Sequence, residues 1–391
     1  MKFPKQWQSA VDVIAKIENA GYEAFIVGGA VRDYYLQKDS ADVDVATSAL
    51  PHEVQAIFSQ TVDVGIDHGT VLVLDCGEPI EVTTYRTEST YSDHRRPDEV
   101  NFVRDLPEDL KRRDFTMNAM ALHNSGQFVD LFNGRQDIDA KVIRAVGDAA
   151  ERFQEDALRM LRAIRFSAQM DFSIEENTLK AIQEHVKSIK FIAMERIQVE
   201  ISKIWTSPNP VRAIHYIQWA KLDDYLPGEF DAIEWEQVQT ANRQVGWAYF
   251  CLVNAHDVSL LSVYRCSNKD KQFVKQVLHA YEKLQNEGWQ RIDYLQFELD
   301  ILQTAHLFAT WQYITPTIPF EQIEKMKHAL PIQHKNELEI SGNDLLQWTP
   351  KKAGPWLQVA LQAALLAVVN GQISNDKEQL KEWFHAFNNE G

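Results

Sequence analysis

Apolar and polar positions follow two different periods along this chain. Up to about residue 145, short apolar runs rich in β-type residues alternate with turns and a few helical stretches. Runs of this length and composition predict strands. The predicted strands are EAFIV (23–27), DVDVA (42–46), TVLVL (70–74), PIEVTTY (79–85), MALH (120–123) and VIRAV (142–146).

A helical period replaces this pattern after about Asp148. Apolar residues then recur every three to four positions, which predicts amphipathic helices. Three of them follow in succession: EDALRMLRAIRFSAQM (155–170), ENTLKAIQEHVKSI (176–189) and MERIQVEISKIW (194–205). The chain stays helical beyond residue 210, so we expect an α+β fold in which an α/β part precedes a long all-helical part.

Composition and the absence of a targeting pattern indicate in which cellular compartment the protein is expected. The 391 residues allow two or three domains, and the three cysteines lie too far apart to indicate a disulfide framework or a zinc site. The N-terminal segment is an amphipathic helix without the apolar centre of a signal peptide. The longest apolar run, residues 356–369, is too short to span a membrane. We therefore expect a cytoplasmic protein with no membrane partner.

The net charge of −16 argues against a general nucleic-acid binder, and we expect no DNA partner, because phosphate contacts require lysine and arginine. It leaves open a protein that handles RNA through local basic patches.

Two glycines stand between the first predicted strand and a short predicted helix, AVRDYYL. Gly28 and Gly29 let the backbone approach a ligand closely, and N–H groups at a helix start suit a phosphate. Arg32, one turn later, can add a charge-assisted contact to the same anion. Taken alone, the two glycines would more often form only a tight turn than a phosphate site. The chain fits neither the Walker A pattern nor the dinucleotide fingerprint.

Asp42 and Asp44 follow on the next predicted strand. Residues i and i+2 of a strand share a face, so both carboxylates project together while Val43 and Val45 face the core. Adjacent carboxylates repel unless a cation bridges them, and Mg²⁺ prefers oxygen ligands that it can share with substrate phosphates. Glu81, on another predicted strand, could supply a third carboxylate. A phosphate turn beside a metal site predicts two-metal nucleotidyl transfer, in which the metals activate a hydroxyl and hold the leaving pyrophosphate.

Six motifs occur in an order that resembles the class II tRNA nucleotidyltransferase/poly(A) polymerase family. They are GGAVRD, DVDVAT, RRDFTMNAMA (112–121), DLFNGRQDI (130–138), EDALRMLRAIRF (155–166) and ERIQVEISK (195–203). The later stretches ISGNDLL (340–346) and GPWL (354–357) also resemble the tail of bacillus-type CCA-adding enzymes.

The resemblance implies template-independent addition of CCA to the 3′ end of tRNA from CTP and ATP, with Mg²⁺ as the cofactor. It also implies a polymerase-β-like head at residues 1–148, a neck at 149–206, a body at 207–285 and a tail at 286–391. The head would hold the metals and triphosphate, the neck would select the base, and the tail would bind the tRNA elbow while the acceptor end enters the site. A homodimer is left open.

The resemblance also makes Asp156 and Arg159 a protein template for the incoming base. At spacing i, i+3 on one predicted helix, they share a face. A carboxylate only accepts hydrogen bonds and a guanidinium only donates them, so the pair matches cytosine and adenine and rejects uracil and guanine. Without the family context, the two residues would form an ordinary intrahelical ion pair.

Further residues receive roles from the same motifs. Arg113, Asp114 and Asn118 match the family motif that contacts sugar and phosphate, although alone they would be charged residues at a helix start. Arg162 and Arg165 continue a basic ridge toward a phosphate path. We expect three residues of the ERIQVEISK motif to stabilise the neck as helix-surface pairs rather than to touch substrate; they are Glu195, Arg196 and Glu200.

Four alternatives remain. A poly(A) polymerase of the same family usually carries a Gly-Arg-Arg-Phe-like run where this chain has VGIDHGTVLV (64–73), and relatives that add only CC or only A share the chemistry. A non-enzymatic nucleotide- or RNA-binding module would be favoured by loss of a metal aspartate or of the glycine turn, and neither is lost. A phosphohydrolase based on His256 and Asp257 lacks further spaced ligands.

The stretch TESTYSDHRRPD (87–98) is a solvated hairpin loop or a mobile lid over the site. Since the base-reading pair accepts both cytosine and adenine, a moving part must reshape the pocket for the purine. This loop, with Arg95 and Arg96, is the candidate.

Overall fold

The computed structural model describes residues 3–40, 42–88, 100–239, 242–314 and 318–389. The chain divides into two compact units, residues 1–240 and 241–391. The four-part division into head, neck, body and tail stays a prediction. Apart from Thr87 and Glu88, the proposed lid lies outside the described residues.

A seven-stranded mixed sheet forms the centre of the first unit. Its strands are β1 (Ala24–Val27), β2 (Asp44–Thr47), β3 (Thr61–Gly65), β4 (Thr70–Val73), β5 (Ile80–Thr84), β8 (Met120–Leu122) and β9 (Phe128–Asp130). The order across the sheet is β3-β4-β5-β2-β1-β8-β9. Strands β2 and β5 run parallel, and the other neighbours run antiparallel. Two small pairs lie outside this sheet: β6 (Arg86–Glu88) with β7 (Val100–Phe102), and β10 (Val142–Ile143) with β11 (Ser173–Ile174).

All six predicted strands are present, with shifted ends. The prediction missed β3 because Val62 and Val64 of this edge strand are 44% and 50% exposed, so no buried apolar face marks it. It also placed Asp42 inside a strand, whereas β2 begins at Asp44.

Helices surround the sheet and then form the rest of the first unit. They are α1 (Gln8–Asn19), α2 (Gly29–Tyr35), α3 (Pro51–Ile57), α4 (Leu106–Lys111), α5 (Gly134–Asp139), α6 (Ala149–Glu155), α7 (Leu158–Met170), α8 (Glu176–His185), α9 (Met194–Trp205), α10 (Pro210–Trp219) and α11 (Ala232–Trp235). The apolar stripe of α1 is fully buried at Val13, Ile14 and Ile17 and packs against β1, β2 and β5. This packing fixes the strand ends that carry the predicted metal ligands.

Helices make up the second unit. They are α12 (Arg243–Val253), α13 (Leu260–Val263), α14 (Asn268–Asn286), α15 (Arg291–Gln296), α16 (Leu299–Trp311), α17 (Phe320–His328), α18 (Gly342–Trp348), α19 (Trp356–Val369) and α20 (Lys377–Asn389). A capping box between Ser267 and Asp270 starts α14, the longest of them. No helix within the described ranges combines the length and apolar character needed to cross a membrane. The α+β prediction, a mixed sheet followed by helices, is confirmed.

Candidate active site

A cavity of about 470 Å³ in the first unit collects most of the predicted site residues. Its volume lies in the range of small-ligand sites. Six arginines and three aspartates give its lining a net charge of +3, which suits a polyanionic ligand. The lining residues are Gly28, Gly29, Arg32, Asp44, Arg112, Arg113, Asp114, Asn118, Asp156, Leu158, Arg159, Arg162, Phe166 and Arg196.

The glycine turn lies directly beside the first aspartate. Val27, the last residue of β1, pairs with Asp44 of β2, so Gly28 enters the cavity next to that carboxylate. Gly28 has φ +74° and ψ −139°, a conformation that glycine adopts without strain. A Cβ atom on Gly28 would lie 3.2 Å from Nη1 of Arg113. The missing side chain therefore lets the guanidinium approach the turn.

Arg113 presents an orphaned donor at this point. Its Nη2 binds the buried carboxylate of Asp109 at 3.1 Å. Its Nε is buried, and the described part of the chain offers it no hydrogen-bond partner. Buried donors in folded proteins almost always have a partner, so this one indicates an anionic ligand. The position beside the glycine turn fits a phosphate.

Asp44 has two carboxylates near it at the ends of β2 and β5, Asp42 and Glu81, and neither of these two lines the cavity. Val45 pairs with Val82 in the parallel register, so Asp44 and Glu81 stand side by side on the opposite face. Val45 is fully buried and Val43 is 6% exposed, which confirms that both valines face the core. The pKa of Asp44 is raised, first by loss of surrounding water and then by the negative charges of Asp42 and Glu81, while Arg113 opposes the shift.

This arrangement fits Mg²⁺ as one part of a shared site. Among the described residues, no group of three or more acidic, histidine or cysteine side chains is arranged as a complete metal cage. Mg²⁺ in nucleotide enzymes is commonly held by one or two carboxylates, with phosphates and water as the other ligands. Asp42 and Asp44 supply oxygen ligands of that kind. A divalent cation bound there would offset the repulsion between the negative charges around Asp44.

The DLFNGRQDI motif packs against Thr116, in the segment that carries Arg113, Asp114 and Asn118. Oδ2 of Asp137 accepts a hydrogen bond of 2.6 Å from the hydroxyl of Thr116. A Cβ atom on Gly134 would lie 2.4 Å from the carbonyl oxygen of Thr116, so only glycine fits there. This motif therefore supports the site without lining the cavity.

Asp114 is buried and bound on both carboxylate oxygens. Arg162 donates from Nη2 and Nε to Oδ2 at 2.6 and 2.8 Å, and Asn118 donates to Oδ1 at 3.1 Å. Burial raises the pKa of Asp114, but the charge of Arg162 and the hydrogen bonds outweigh it and lower the pKa to about 2. Asp114 is therefore a fixed anion at neutral pH. Arg32 in turn binds Asp33 and Asn118.

The structure corrects the prediction that Asp156 and Arg159 share a helix face. Helix α6 ends at Glu155 and α7 begins at Leu158, and Asp156 lies between them in an extended conformation with φ −141°. Asp156 and Arg159 still line the same cavity, but neither is the other's ion-pair partner. Arg159 binds Glu155 and donates to the carbonyl oxygen of Arg112 at 3.0 Å.

Arg196 is the cavity residue that the sequence prediction placed on a helix surface. Its Nη2 lies 2.7 Å from Oδ2 of Asp156. Glu200, one turn later, is also not on the surface: it is 3% exposed and binds Nε of Arg165 at 2.6 Å. Arg165 is therefore held against Glu200 and does not line the cavity. Arg196 and Glu200 lie four residues apart on α9. From the sequence alone, charged residues at this spacing do not show whether that face of the helix points to solvent or to the interior of the protein.

Arg112, Leu158 and Phe166 are the other lining residues that sequence reasoning did not assign to the site. Arg112 adjoins Arg113 in the RRDFT motif, and that adjacency was the available signal. The Phe166 ring has the guanidinium groups of Arg32 and Arg162 at 5.2 and 5.5 Å from its centroid. A larger cavity of about 740 Å³ lies in the second unit around residues 335–344 and 358–365, and it contains none of the predicted site residues.

Three family models match successive parts of the chain. Residues 24–144 match the poly A polymerase head domain, residues 171–230 a probable RNA- and SrmB-binding site of polymerase A, and residues 238–384 a putative second domain of tRNA nucleotidyltransferase.

Relatives match over nearly the whole length. A CCA-adding enzyme of Bacillus cereus (strain G9842) is 41% identical, and the match covers 98% of this chain and 99% of the relative. The crystal structure of the Bacillus stearothermophilus CCA-adding enzyme in complex with CTP is 37% identical, covers 99% of this chain and 98% of the other, and gives a TM-score of 0.90. The Thermotoga maritima CCA-adding enzyme complexed with tRNA, 20% identical with a TM-score of 0.67, covers 98% of this chain and 96% of the other and shares the fold. The chain therefore belongs to the class II tRNA nucleotidyltransferase/poly(A) polymerase family, together with the bacillus-type CCA-adding enzymes.

Proposed function

We propose that this protein adds CCA to the 3′ end of tRNA without a nucleic-acid template, using CTP and ATP and releasing pyrophosphate. The observation that carries the proposal is the single cavity that joins the glycine turn, the Asp44 strand end and the Asp156–Arg159 segment. One cavity can then hold the triphosphate, the reacting phosphorus and the base of the same nucleotide. The names of the relatives, CCA-adding enzymes over nearly the full length, support the same activity.

The reaction joins the terminal 3′-oxygen of the RNA to the α-phosphorus of the nucleotide, and the bond from that phosphorus to the bridging oxygen breaks. The chemistry that two Mg²⁺ ions supply when bound is activation of the 3′-hydroxyl and neutralisation of the leaving pyrophosphate. Asp42 and Asp44 are the residues that would hold the metal, with Glu81 beside them. The parallel register of β2 and β5 puts Asp44 and Glu81 on the same side of the sheet, and Asp42 precedes β2 by two residues.

The triphosphate is held by the turn and two arginines. The first N–H groups of α2 have no acceptor within the helix, so they are open to phosphate oxygens. Arg113 adds the buried Nε donor described above. Arg32 lies one helical turn beyond Gly28 and adds positive charge at the same end of the cavity.

Base selection falls to Asp156 and Arg159. Cytosine and adenine present an amino donor beside a ring-nitrogen acceptor, and the acceptor-only carboxylate and donor-only guanidinium match that edge. Uracil and guanine present a carbonyl beside an N–H, so an acceptor would face the carboxylate and a donor would face the guanidinium, and neither hydrogen bond to the base could form. Each unpaired buried group costs about 1–3 kcal/mol. The pair does not distinguish cytosine from adenine.

The helical remainder of the chain binds the tRNA. We assign residues 1–148 to the catalytic head, 149–206 to the neck, 207–285 to the body and 286–391 to the tail that contacts the elbow. The match of residues 171–230 to a model described as a probable RNA-binding site supports an RNA path along the first helices after the sheet.

Nucleotide addition to defined tRNA ends tests the proposal. The full-length protein is incubated with Mg²⁺ and each labelled nucleotide triphosphate, on tRNA that ends before, within or after CCA. We expect two cytidines and then one adenosine on the first substrate, one adenosine after CC, and none after CCA. Asp42→Ala and Asp44→Ala should abolish both additions, whereas Asp12→Ala, an exposed carboxylate on α1, should not.

Other outcomes identify the alternatives. Long adenosine tracts on any RNA indicate a poly(A) polymerase. Addition restricted to CC or to the final A indicates a specialised tRNA enzyme, and no incorporation at all indicates a binding module.

A further inference from the structure

Asn118 occupies an unusual place between two charged groups of the cavity. It lies at the end of a short 3₁₀ turn, residues 116–118, and is 6% exposed. Its Oδ1 accepts a hydrogen bond of 2.8 Å from Nη1 of Arg32, and its Nδ2 donates one of 3.1 Å to Oδ1 of Asp114. Both ends of the amide are therefore engaged by the protein itself.

The chemistry of the two partners fixes the direction of this amide. A guanidinium only donates and an ionised carboxylate only accepts. If the amide were rotated by half a turn, its NH₂ group would face the donor of Arg32 and its oxygen would face the carboxylate of Asp114. Neither contact could form. The side chain is thus a directional link between a cation and an anion.

Each partner belongs to a different part of the proposed site. Arg32 lies on α2, and its Nη2 would be 3.6 Å from a Cβ atom on Gly29, at the triphosphate turn. Asp114 holds Arg162 of α7, the helix that also carries Arg159, at 2.6 Å. Asn118 is the amide that joins these two ends by hydrogen bonds, and the Phe166 ring is a second neighbour of both Arg32 and Arg162.

We propose that Asn118 is a positioning residue that couples the triphosphate turn to the base-reading helix. The inference rests on the proposed function and deepens it. The motif of Asn118 predicts a contact with sugar or phosphate, but both ends of its amide are engaged by Arg32 and Asp114, so Asn118 would not itself contact the nucleotide. It would keep Arg32 and the Asp114–Arg162 pair in register, so that a triphosphate bound at α2 and a base read at α7 favour the same arrangement of the cavity.

A double-mutant cycle measures this coupling. Dissociation constants for CTP and for ATP are determined for the parent protein, Arg32→Lys, Arg162→Lys and the double variant. In the parent background we expect the effects to be non-additive by about threefold or more, in the range of residues that share one hydrogen-bond network. When the same cycle is repeated in Asn118→Leu, the effects of Arg32→Lys and Arg162→Lys should become additive. The affinities for CTP and for ATP should fall equally, because the link does not involve the base.

Two further variants separate positioning from folding. Asn118→Asp keeps an acceptor for Arg32 but cannot donate to Asp114, so it should also remove the coupling, even if Asn118→Leu does not fold. Asn375→Leu is the matched control. Its amide likewise bridges two groups, the N–H of Glu339 and the carbonyl of Glu337, but in the second unit. It should leave CTP affinity unchanged.

The outcomes are distinguishable. Coupling that persists in both Asn118→Leu and Asn118→Asp overturns the inference and assigns the link to Phe166. A parent protein that binds neither CTP nor ATP contradicts the proposed function instead. In that case the same cycle, measured on the midpoint of thermal unfolding, still decides whether Asn118 links Arg32 to Arg162.

Discussion

The carboxylate of Asp156 binds the guanidinium of Arg196, 40 residues further along the chain, with Nη2 2.7 Å from Oδ2 and Nη1 3.2 Å from Oδ1. The N–H of Leu158 also donates to Oδ1 at 3.1 Å. A carboxylate has about four acceptor sites, so these bonds orient Asp156 without exhausting it. Arg196 therefore sets the orientation of the Asp156 carboxylate in the cavity, and in the proposed function it would set the direction in which Asp156 meets a base.

Arg196→Met should weaken base selection while the protein still folds. The aliphatic stem of the side chain is kept, but Asp156 loses its orienting cation. We expect discrimination of CTP against UTP to fall by about tenfold, the equivalent of one hydrogen bond to a charged group. Competition between CTP and UTP in single-turnover addition measures the effect.

Arg212→Met is the matched control for this prediction. Arg212 makes a similar ion pair with Asp171 at 3.1 Å, but it does not line the cavity. Equal loss of discrimination in both variants would assign the effect to general destabilisation.

Removal of one negative charge should make the metal-free protein more stable. The pKa of Asp44 is raised first by loss of surrounding water and then by repulsion from Asp42 and Glu81, and Asp44→Asn removes the charge that both effects disfavour. We expect a higher midpoint of thermal unfolding than the parent in the presence of a chelator. The parent should then gain stability on addition of Mg²⁺, because the ion binds the folded state, and Asp44→Asn should gain much less.

Asp12→Asn removes a carboxylate from the exposed face of α1 and serves as the control. It should show the full response to Mg²⁺. If Asp44→Asn responds to Mg²⁺ as strongly as the parent does, the metal assignment is wrong.

Local sequence rules placed the strand residues of the candidate site because strand geometry is regular, although they extended the strand to Asp42. A period of two placed Val43 and Val45 in the core, and the same period put Asp44 on the opposite face. The order of the motifs identified the family. The strand assignment depends only on residues that are close in sequence, and the motif order can be read without knowing which residues are in contact.

The neck half of the site depends on contacts that local rules do not contain. The break between α6 and α7 occurs at Asp156–Ala157, without a glycine or proline to mark it. Once the chain is extended at Asp156, the i, i+3 rule no longer applies to Arg159. The partner of Asp156 then comes from α9, and only the packing of α7 on α9 determines that choice.

The two glycines of the turn should differ in their tolerance of alanine. Gly28→Ala forces an alanine into φ +74° and places Cβ 3.2 Å from Arg113, at a cost of about 1–3 kcal/mol in backbone strain. Gly29→Ala adds a methyl group at a helical position, where the nearest atom is Nη2 of Arg32 at 3.6 Å. We expect about tenfold weaker binding of CTP and ATP in Gly28→Ala and little change in Gly29→Ala. Equilibrium titration of each nucleotide measures both, and similar losses would show that the turn is not used through its backbone conformation.

Acid should destabilise the first unit through Asp114. The pKa of this carboxyl is about 2 in the folded protein because Arg162 and Asn118 hold its anion, despite the opposing effect of burial. Its ordinary value is near 3.9. The unfolded chain therefore takes up the proton at a higher pH than the folded chain does. The stabilisation from Asp114 is fully present above about pH 5 and is lost as pH falls toward 2, which amounts to about 2 kcal/mol.

Urea unfolding at a series of pH values between 6 and 2 measures this loss. In Asp114→Asn, Arg162 loses its counter-charge, so the free energy of unfolding at pH 6 should be lower than that of the parent. The asparagine does not titrate, so this contribution does not change with pH in the variant. The difference between the two proteins should then narrow by about 2 kcal/mol as pH falls toward 2. Asp12→Asn, which removes an exposed carboxylate, should stay parallel to the parent. A constant difference between Asp114→Asn and the parent across the whole range would show that Asp114 is not held as an anion by Arg162.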